Sequence, residues 1–253
     1  MKTLKKVGSK MMNDAIFTRD RLINLALIVT TIWFIWFAQH FFDEYTIRII
    51  NNVAIFIILA VSYNLINGIT GQFSLEPNGF IAIGAYVTAI LTVDAEGMLY
   101  QYDIEDPYPW ILALQSNFGW ALFFSGTISA LLALSLAFPV FRVRGDYLAI
   151  VTLGFGFIIR ILAINSPEIT NGSLGINDIP EFSNLYWTGG MAIFTVIAIL
   201  NIIYSKYGRA MKAVRDDEDA ATAMGINTFK IKTMAFTTSA FFEGIGGGLL
   251  AAL

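Results

Sequence analysis

Long apolar segments alternate with short polar connections along the whole chain. A helix needs roughly 20 mainly apolar residues to cross a bilayer, and runs of about that length recur down the sequence. The segments are residues 22–39, 47–66, 79–93, 118–138, 147–163, 188–204 and 233–253. The pattern predicts an all-α, polytopic membrane protein with about seven transmembrane helices.

The third apolar segment differs from the others because it is short. Residues 79–93 would form a helix of about 22 Å, and the Gly- and Pro-punctuated stretch NGITGQFSLEPNG leads into it without a helical pattern. Irregular backbone at membrane depth survives only where protein or a water-filled cavity satisfies its amides, and transporters place broken helices around their substrates. We therefore predict a short or broken helix here, with an ordinary cytoplasmic loop as the alternative. The candidate substrate path consists of Gln72, Ser74, Glu76 and Asn78.

The last apolar segment contains a carboxylate and a glycine pattern. Glu243 lies about ten residues into the predicted helix, where an unpaired charge is costly. We therefore add Glu243 to the candidate substrate path. The alternative is a structural carboxylate that is partnered or protonated inside the protein. Gly244 and Gly248 form a small-xxx-small face that predicts close helix packing. The chain stops inside this helix without flanking charges, so we expect a C-terminally incomplete sequence.

Composition narrows the function classes. The chain is 56% hydrophobic and 14% charged with a net charge of -3, which favours lipid surroundings and argues against nucleic acid as a partner. It has no Cys and a single His, which excludes disulfides and thiolate or multi-histidine metal sites. Hydrolase triads, phosphate-binding loops and metalloprotease motifs are also missing, so we expect no catalytic, metal or cofactor site in this chain.

The basic residues predict the orientation. If the N-terminus is cytoplasmic, 14 of the 16 Lys and Arg residues lie on the cytoplasmic side, and only Arg48 and Arg160 lie near the outer surface. This asymmetry follows the positive-inside rule. We therefore expect a basic cytoplasmic N-terminus over residues 1–21 and a transmembrane domain over residues 22–253, with a cytoplasmic loop at residues 206–232.

That cytoplasmic loop carries six basic and four acidic residues. Its spacing predicts two short helices, with Asp216 or Asp217 capping the second and Gly225 ending it. Each helix has a face of small or flexible side chains, which suits a groove in a partner protein better than the bilayer surface. The two faces are Ala210/Met211/Val214 and Ala220/Ala221/Met224.

Three separated blocks of sequence resemble the permeases of branched-chain amino acid ABC transporters. They are GQFSL with FIAIGAY, then VFRVRGDYLAIVTLGFGFIIRI with TNGSLGI, and finally GRAMKAVRDDEDAATAMGIN in the cytoplasmic loop. The similarity runs from about residue 64 to the end. It departs from the family pattern at Glu76, Pro77 and Asn78 and at Glu243, which puts the substrate preference in doubt.

The resemblance implies a permease subunit in the prokaryotic inner membrane that carries branched-chain or related small amino acids. Its expected partners are a second permease subunit, two cytoplasmic ATPases that use ATP, and a periplasmic or extracellular substrate-binding protein. The resemblance also places the ATPase-coupling contact in the cytoplasmic loop, on Gly208, Arg209, Ala220, Ala221, Gly225 and Ile226, with Met224 on the same face as Ala220 and Ala221. The alternatives are a permease for urea or amides, an ion-coupled secondary transporter using Glu243 with Arg160, and a membrane scaffold that transports nothing.

Overall fold

The structure is a computed structural model that describes residues 28–102, 106–141 and 147–253. Every regular element in those ranges is a helix. The elements are α1 (Ile28–Phe41), α2 (Glu44–Asn64), which continues into a π-helical turn (Leu65–Ile69), α3 (Pro77–Thr92), α4 (Ala95–Gln101), α5 (Pro109–Leu112), α6 (Phe118–Val140), α7 (Tyr147–Ile164), α8 (Pro167–Thr170), α9 (Leu185–Tyr204), α10 (Lys206–Asp216), α11 (Glu218–Ala223) and α12 (Thr228–Ala251).

The described residues form two compact units, with the boundary between Ile47 and Arg48. Helix α1 belongs to the first unit, where aromatic side chains of α1 stack on one another; Phe37 and Phe41, for example, have ring centroids 4.6 Å apart. The basic N-terminal residues used to predict the orientation, together with Arg142 and Arg144, lie outside the described residues. All the candidate site residues belong to the second unit.

Three described helices are long and apolar enough to cross a membrane: α2 with its π-helical turn, α6 and α9. Helices α3 and α4 meet the same criteria only together, and they meet at a bend of 117°. Helices α1 and α7 are apolar but shorter. Six of the seven predicted segments coincide with α2, α3, α6, α7, α9 and α12, and most of the first coincides with α1. The number of membrane crossings remains a prediction.

Helix α12 packs closely against its neighbours through glycines. A Cβ added at Gly244 would lie 2.4 Å from Ser129 Oγ of α6, and one at Gly248 would lie 2.3 Å from Thr88 Oγ1 of α3. Such spacing lets helix backbones approach closely, which drives helix association in lipid, where the hydrophobic effect contributes little. The glycine face predicted from the sequence is therefore confirmed as a packing surface.

Helix α6 offers a complementary stripe of small residues to this core. Four of its buried positions repeat every four residues, so they lie on one face of the helix. They are Ser125, Ser129, Ala133 and Ala137, all fully buried. Large apolar side chains on other faces of α6, including Trp120 and Leu131, are exposed, as expected for a helix that meets lipid. Helices α3, α6 and α12 thus form the centre of the second unit.

Candidate functional site

Residues 70–76 form an irregular segment between the π-helical turn and α3, and side chains from three directions brace its backbone. Asn67 accepts a hydrogen bond from the Ser74 amide through Oδ1 (2.9 Å), and the Tyr63 hydroxyl donates to the Ser74 carbonyl (2.8 Å). The Leu75 amide donates to Thr152 Oγ1 of α7 (2.9 Å). Irregular backbone at membrane depth requires such protein partners, so this bracing is what a broken membrane helix needs. The predicted short helix is confirmed, since α3 has 16 residues and follows this segment.

Two candidate residues, Glu76 and Glu243, are fully buried carboxyl groups. Their side chains are close enough to interact electrostatically. Glu243 Oε1 accepts a hydrogen bond from Ser239 Oγ (2.9 Å), and the same hydroxyl is 2.7 Å from the Ser62 carbonyl. Both oxygens of Glu76 and the second oxygen of Glu243 have no hydrogen-bond partner among the described residues. A charged carboxylate without hydrogen-bond partners or a counter-charge is costly to bury.

The other path candidates have different environments. Ser74 is buried, Gln72 is half-buried and Asn78 is exposed. Of the five candidates, Asn78 is the one that lines the cavity between α3 and α7. The structure therefore divides the predicted path into a buried polar cluster around Glu76 and an accessible position at Asn78.

The cavity has a volume of about 520 Å³ and lies between α3 and α7. Its α3 wall includes Asn78, Ala82 and Tyr86, and its α7 wall includes Phe157 and Arg160. Small-molecule sites typically enclose about 300–1,000 Å³, with mostly apolar walls and a few polar groups that fix orientation. The cavity has this composition, and it begins at Leu75, the residue before Glu76.

The far side of the cavity is a loop over residues 171–176 that hydrogen bonds hold in place. Asn171 adopts a left-handed conformation (φ 58°), and its side-chain amide donates to the carbonyls of Gln101 (3.0 Å) and Gly175 (2.9 Å). The Tyr102 hydroxyl donates to the Ile169 carbonyl (2.7 Å). Burial raises the pKa of Tyr102 to about 12, so this hydroxyl remains a donor at neutral pH. The loop thus forms a fixed wall.

The cytoplasmic loop predicted over residues 206–232 folds into α10, α11 and the start of α12. Asp217 caps α11, because its carboxylate accepts a hydrogen bond from the Ala220 amide (2.9 Å), and Gly225 follows with a φ of +85°. The predicted cap and stop are both confirmed. We call α10 and α11 together the α10–α11 hairpin.

Burial within the α10–α11 hairpin corrects the predicted docking faces. Met211, Val214 and Ala221 are 0%, 3% and 4% exposed and belong to the same core cluster as Leu65 and Ile231. The expectation that these three side chains seat in a partner was wrong for this conformation, because the chain's own core already covers them. An amphipathic pattern identifies a face that must be covered but not what covers it.

The remaining coupling-loop candidates divide by exposure. Gly208 is buried, and a Cβ there would lie 2.1 Å from the Ile203 carbonyl oxygen, so its role in this structure is close packing. Ile226 is half-buried. The exposed candidates, which a partner can reach, are Arg209, Ala220, Met224 and Gly225. The Met224 side chain is 83% exposed.

Two polar contacts tie the α10–α11 hairpin to the membrane helices. Arg215 Nη1 donates to the Gly68 carbonyl in the π-helical turn (3.2 Å). Glu218 Oε2 accepts from Lys232 Nζ of α12 (2.6 Å), and the Lys232 side chain is only 7% exposed. Since Asn67 of the same π-helical turn holds Ser74, a continuous set of contacts runs from the hairpin to the irregular segment.

Sequence reasoning missed the π-helical turn, its bracing residues and the position of Arg160. It placed Arg160 near the outer surface and considered it as an ion-pair partner for Glu243, whereas Arg160 is exposed at the cavity and Glu243 is buried beside Ser239. No ion pair joins the two within the described part of the chain. An arginine inside an apolar helix was itself a signal for a functional position, because such charges are rare in membrane helices.

Comparison with known proteins identifies the family. Residues 45–253 match the family described as "Branched-chain amino acid transport system / permease component". The chain belongs to this family. Its membership in this permease family and its apolar helices indicate a multi-pass membrane protein. No solved structure matches the chain significantly.

Three relatives show the range of similarity. The chain is 34% identical to the high-affinity branched-chain amino acid transport system permease protein LivM of Salmonella typhimurium, over 94% of this chain and 59% of LivM. It is 26% identical to the guanosine ABC transporter permease protein NupQ of Bacillus subtilis, over 72% of this chain and 59% of NupQ. It is 22% identical to the branched-chain permease protein LivH of Escherichia coli, over 86% of this chain and 71% of LivH. The chain thus spans about 59% of the length of LivM.

Proposed function

We propose that this chain is a membrane-spanning permease subunit of an ATP-driven ABC importer for branched-chain amino acids. The observation that carries the proposal is the braced irregular segment of residues 70–76 at the wall of a cavity of about 520 Å³. Broken membrane helices of this kind surround substrate sites in transporters. Family membership and the similarity to LivM support the same function.

The proposed mechanism is alternating access without covalent chemistry in this chain. Substrate occupies the cavity between α3 and α7, and rearrangement of the irregular segment relative to α7 opens the path to one side of the membrane at a time. Among the described residues, the hydrogen bond from the Leu75 amide to Thr152 Oγ1 joins the irregular segment to α7. ATP binds and is hydrolysed in separate subunits, and this chain holds no cofactor.

Coupling to ATP hydrolysis runs through the α10–α11 hairpin. The ATPase docks on its exposed residues, Arg209, Ala220, Met224 and Gly225. Movement of the hairpin then reaches the π-helical turn through Arg215 and Gly68. The hairpin would accordingly face the cytoplasm, as would the N-terminus, and the chain would cross the prokaryotic inner membrane about seven times.

The proposed assembly contains two permeases, two cytoplasmic ATPases and an extracellular or periplasmic binding protein. The similarity of this chain to both LivM and LivH supports a pair of related permeases. A second permease also has a surface to cover, because α7 exposes large apolar side chains outside the cavity, such as Ile158 and Ile161. Lipid would cover the rest of the exposed apolar surface.

A nucleoside is the second candidate substrate, because NupQ is named a guanosine permease. Ion-coupled transport has less support, since the pair that it requires, Glu243 with Arg160, does not form among the described residues.

Purification of the complex from native membranes tests the proposed function. We expect a second permease and an ABC ATPase to co-purify with this chain, and we expect the ATPase activity to rise when leucine-loaded binding protein is added. Stimulation by guanosine-loaded binding protein alone would reassign the substrate. Purification without any ATPase would contradict the ABC importer.

A further inference from the structure

We propose that Arg160 binds the α-carboxylate of an amino acid substrate in the cavity between α3 and α7. The inference rests on the proposed function. It identifies the α-carboxylate as the group of the substrate that one side of the cavity recognises. It is carried by the position of Arg160, by the chemistry of the cavity walls and by the fixed loop opposite.

Arg160 lies in α7, about one helical turn before the helix ends at Ile164. It is exposed, lines the cavity and forms no ion pair with any other described residue. An arginine in an apolar helix is costly unless it meets water, a counter-charge or a ligand. Its planar guanidinium matches a carboxylate through two parallel hydrogen bonds, which makes arginine well suited to this contact.

The other cavity walls complement the rest of an aliphatic amino acid. Leu153 and Phe157 of α7 and Ala82 of α3 provide apolar surface for a branched side chain. Asn78 and Tyr86 of α3 lie on the wall facing α7 and carry oxygens that accept hydrogen bonds from an ammonium group. The cavity thus combines one cation, neutral acceptors and apolar surface, as a zwitterion with an aliphatic side chain requires.

The protein's own hydrogen bonds hold the loop on the opposite side of the cavity. Gly172 and Gly175 line the cavity, and both have positive φ angles (58° and 71°). Asn171 and Tyr102 fix this loop through side-chain hydrogen bonds, as described above. A fixed wall lowers the entropic cost of binding, because the loop need not be ordered by the ligand.

A purely structural role for Arg160 makes a different prediction. Arginine near a helix end can extend its side chain to the membrane interface, where it needs only a positive charge. Lysine does this equally well but cannot make the paired hydrogen bonds of a guanidinium. Arg160→Lys therefore separates a carboxylate contact from interfacial anchoring.

The experiment measures binding of radiolabelled L-leucine to the purified permease–ATPase complex without binding protein. Competitors are isovalerate, a branched carboxylate that is one carbon shorter than leucine and lacks the ammonium group, and leucinamide, which lacks the carboxylate. The variants are Arg160→Gln and Arg160→Lys, with Arg48→Gln as the matched control, because Arg48 is exposed on α2 and does not line the cavity. Thermal unfolding of each complex reports its folding.

We expect isovalerate to compete better than leucinamide in the wild-type complex. Loss of a charge-assisted contact should weaken leucine binding about tenfold or more in Arg160→Gln, less in Arg160→Lys, and not at all in Arg48→Gln. The preference for isovalerate should disappear in Arg160→Gln while its thermal unfolding matches wild type.

Equal competition by both compounds in wild type, no leucine binding to wild type, or wild-type affinity in Arg160→Gln would overturn the inference. Wild-type affinity in Arg160→Lys with loss of folding in Arg160→Gln would assign Arg160 to interfacial anchoring and would also overturn it. These outcomes differ from failure of the proposed function, in which the wild-type complex shows no ATP-dependent leucine uptake in proteoliposomes.

Discussion

Replacement of Gly247 by alanine tests the contact between α12 and α3. A Cβ at Gly247 would lie 2.1 Å from the Ile81 carbonyl oxygen and 2.9 Å from the Ile81 Cα, whereas ordinary contacts are 3.4–4 Å. These are backbone atoms, so no side-chain rotation relieves the overlap, and the two helices must separate by about 1 Å.

The expected magnitude follows from two opposing effects. Overpacking a close-packed interior costs roughly 1–3 kcal/mol, and a backbone clash belongs at the upper end of that range. Alanine recovers up to about 1 kcal/mol of helix propensity relative to glycine. We therefore expect Gly247→Ala to lower the free energy of unfolding by about 2 kcal/mol.

The matched control is Gly190→Ala in α9, where an added Cβ would meet no atom within 4 Å. It should leave the free energy of unfolding unchanged or raise it by up to about 1 kcal/mol. Unfolding in mixed detergent micelles, with increasing fractions of a denaturing detergent, measures both variants. Equal stability of Gly247→Ala and Gly190→Ala would refute the close approach of α12 to α3.

Three further substitutions test the α10–α11 hairpin. Arg215→Ala removes the hydrogen bond to Gly68, so leucine uptake per ATP hydrolysed should fall several-fold, and an unchanged ratio in proteoliposomes would disprove this link. Glu218→Gln leaves Lys232 buried without its anionic partner, so it should lower the free energy of unfolding by about 1–3 kcal/mol. Unfolding in mixed detergent micelles measures this change. Met224→Glu should reduce co-purification of the ATPase without changing the melting temperature, because this side chain is 83% exposed; full recovery of ATPase would count against docking there.

Local features of the hairpin could be predicted from the sequence because they depend on neighbouring residues. The Asp217 cap and the Gly225 stop follow from short-range hydrogen bonding and from the freedom of glycine at positive φ. The packing face of Gly244 and Gly248 follows similarly from spacing along one helix.

Features that join distant parts of the chain could not be predicted from the sequence. The burial of Met211 and Ala221 depends partly on Leu65 of the π-helical turn, which lies far earlier in the sequence. The grouping of Glu76 with Glu243 spans more than 160 residues, and so only the fold could bring them together. The position of Arg160 within an apolar helix could be recognised from the sequence. The cavity beside it could not, because α3 and a loop that is hydrogen-bonded to α4 form its other walls.

The most direct test of the account is leucine uptake into proteoliposomes that contain this chain with its co-purified subunits and a binding protein. The account predicts uptake that requires ATP and binding protein together and that continues when ion gradients are collapsed. Uptake driven by a proton or sodium gradient without ATP would contradict it.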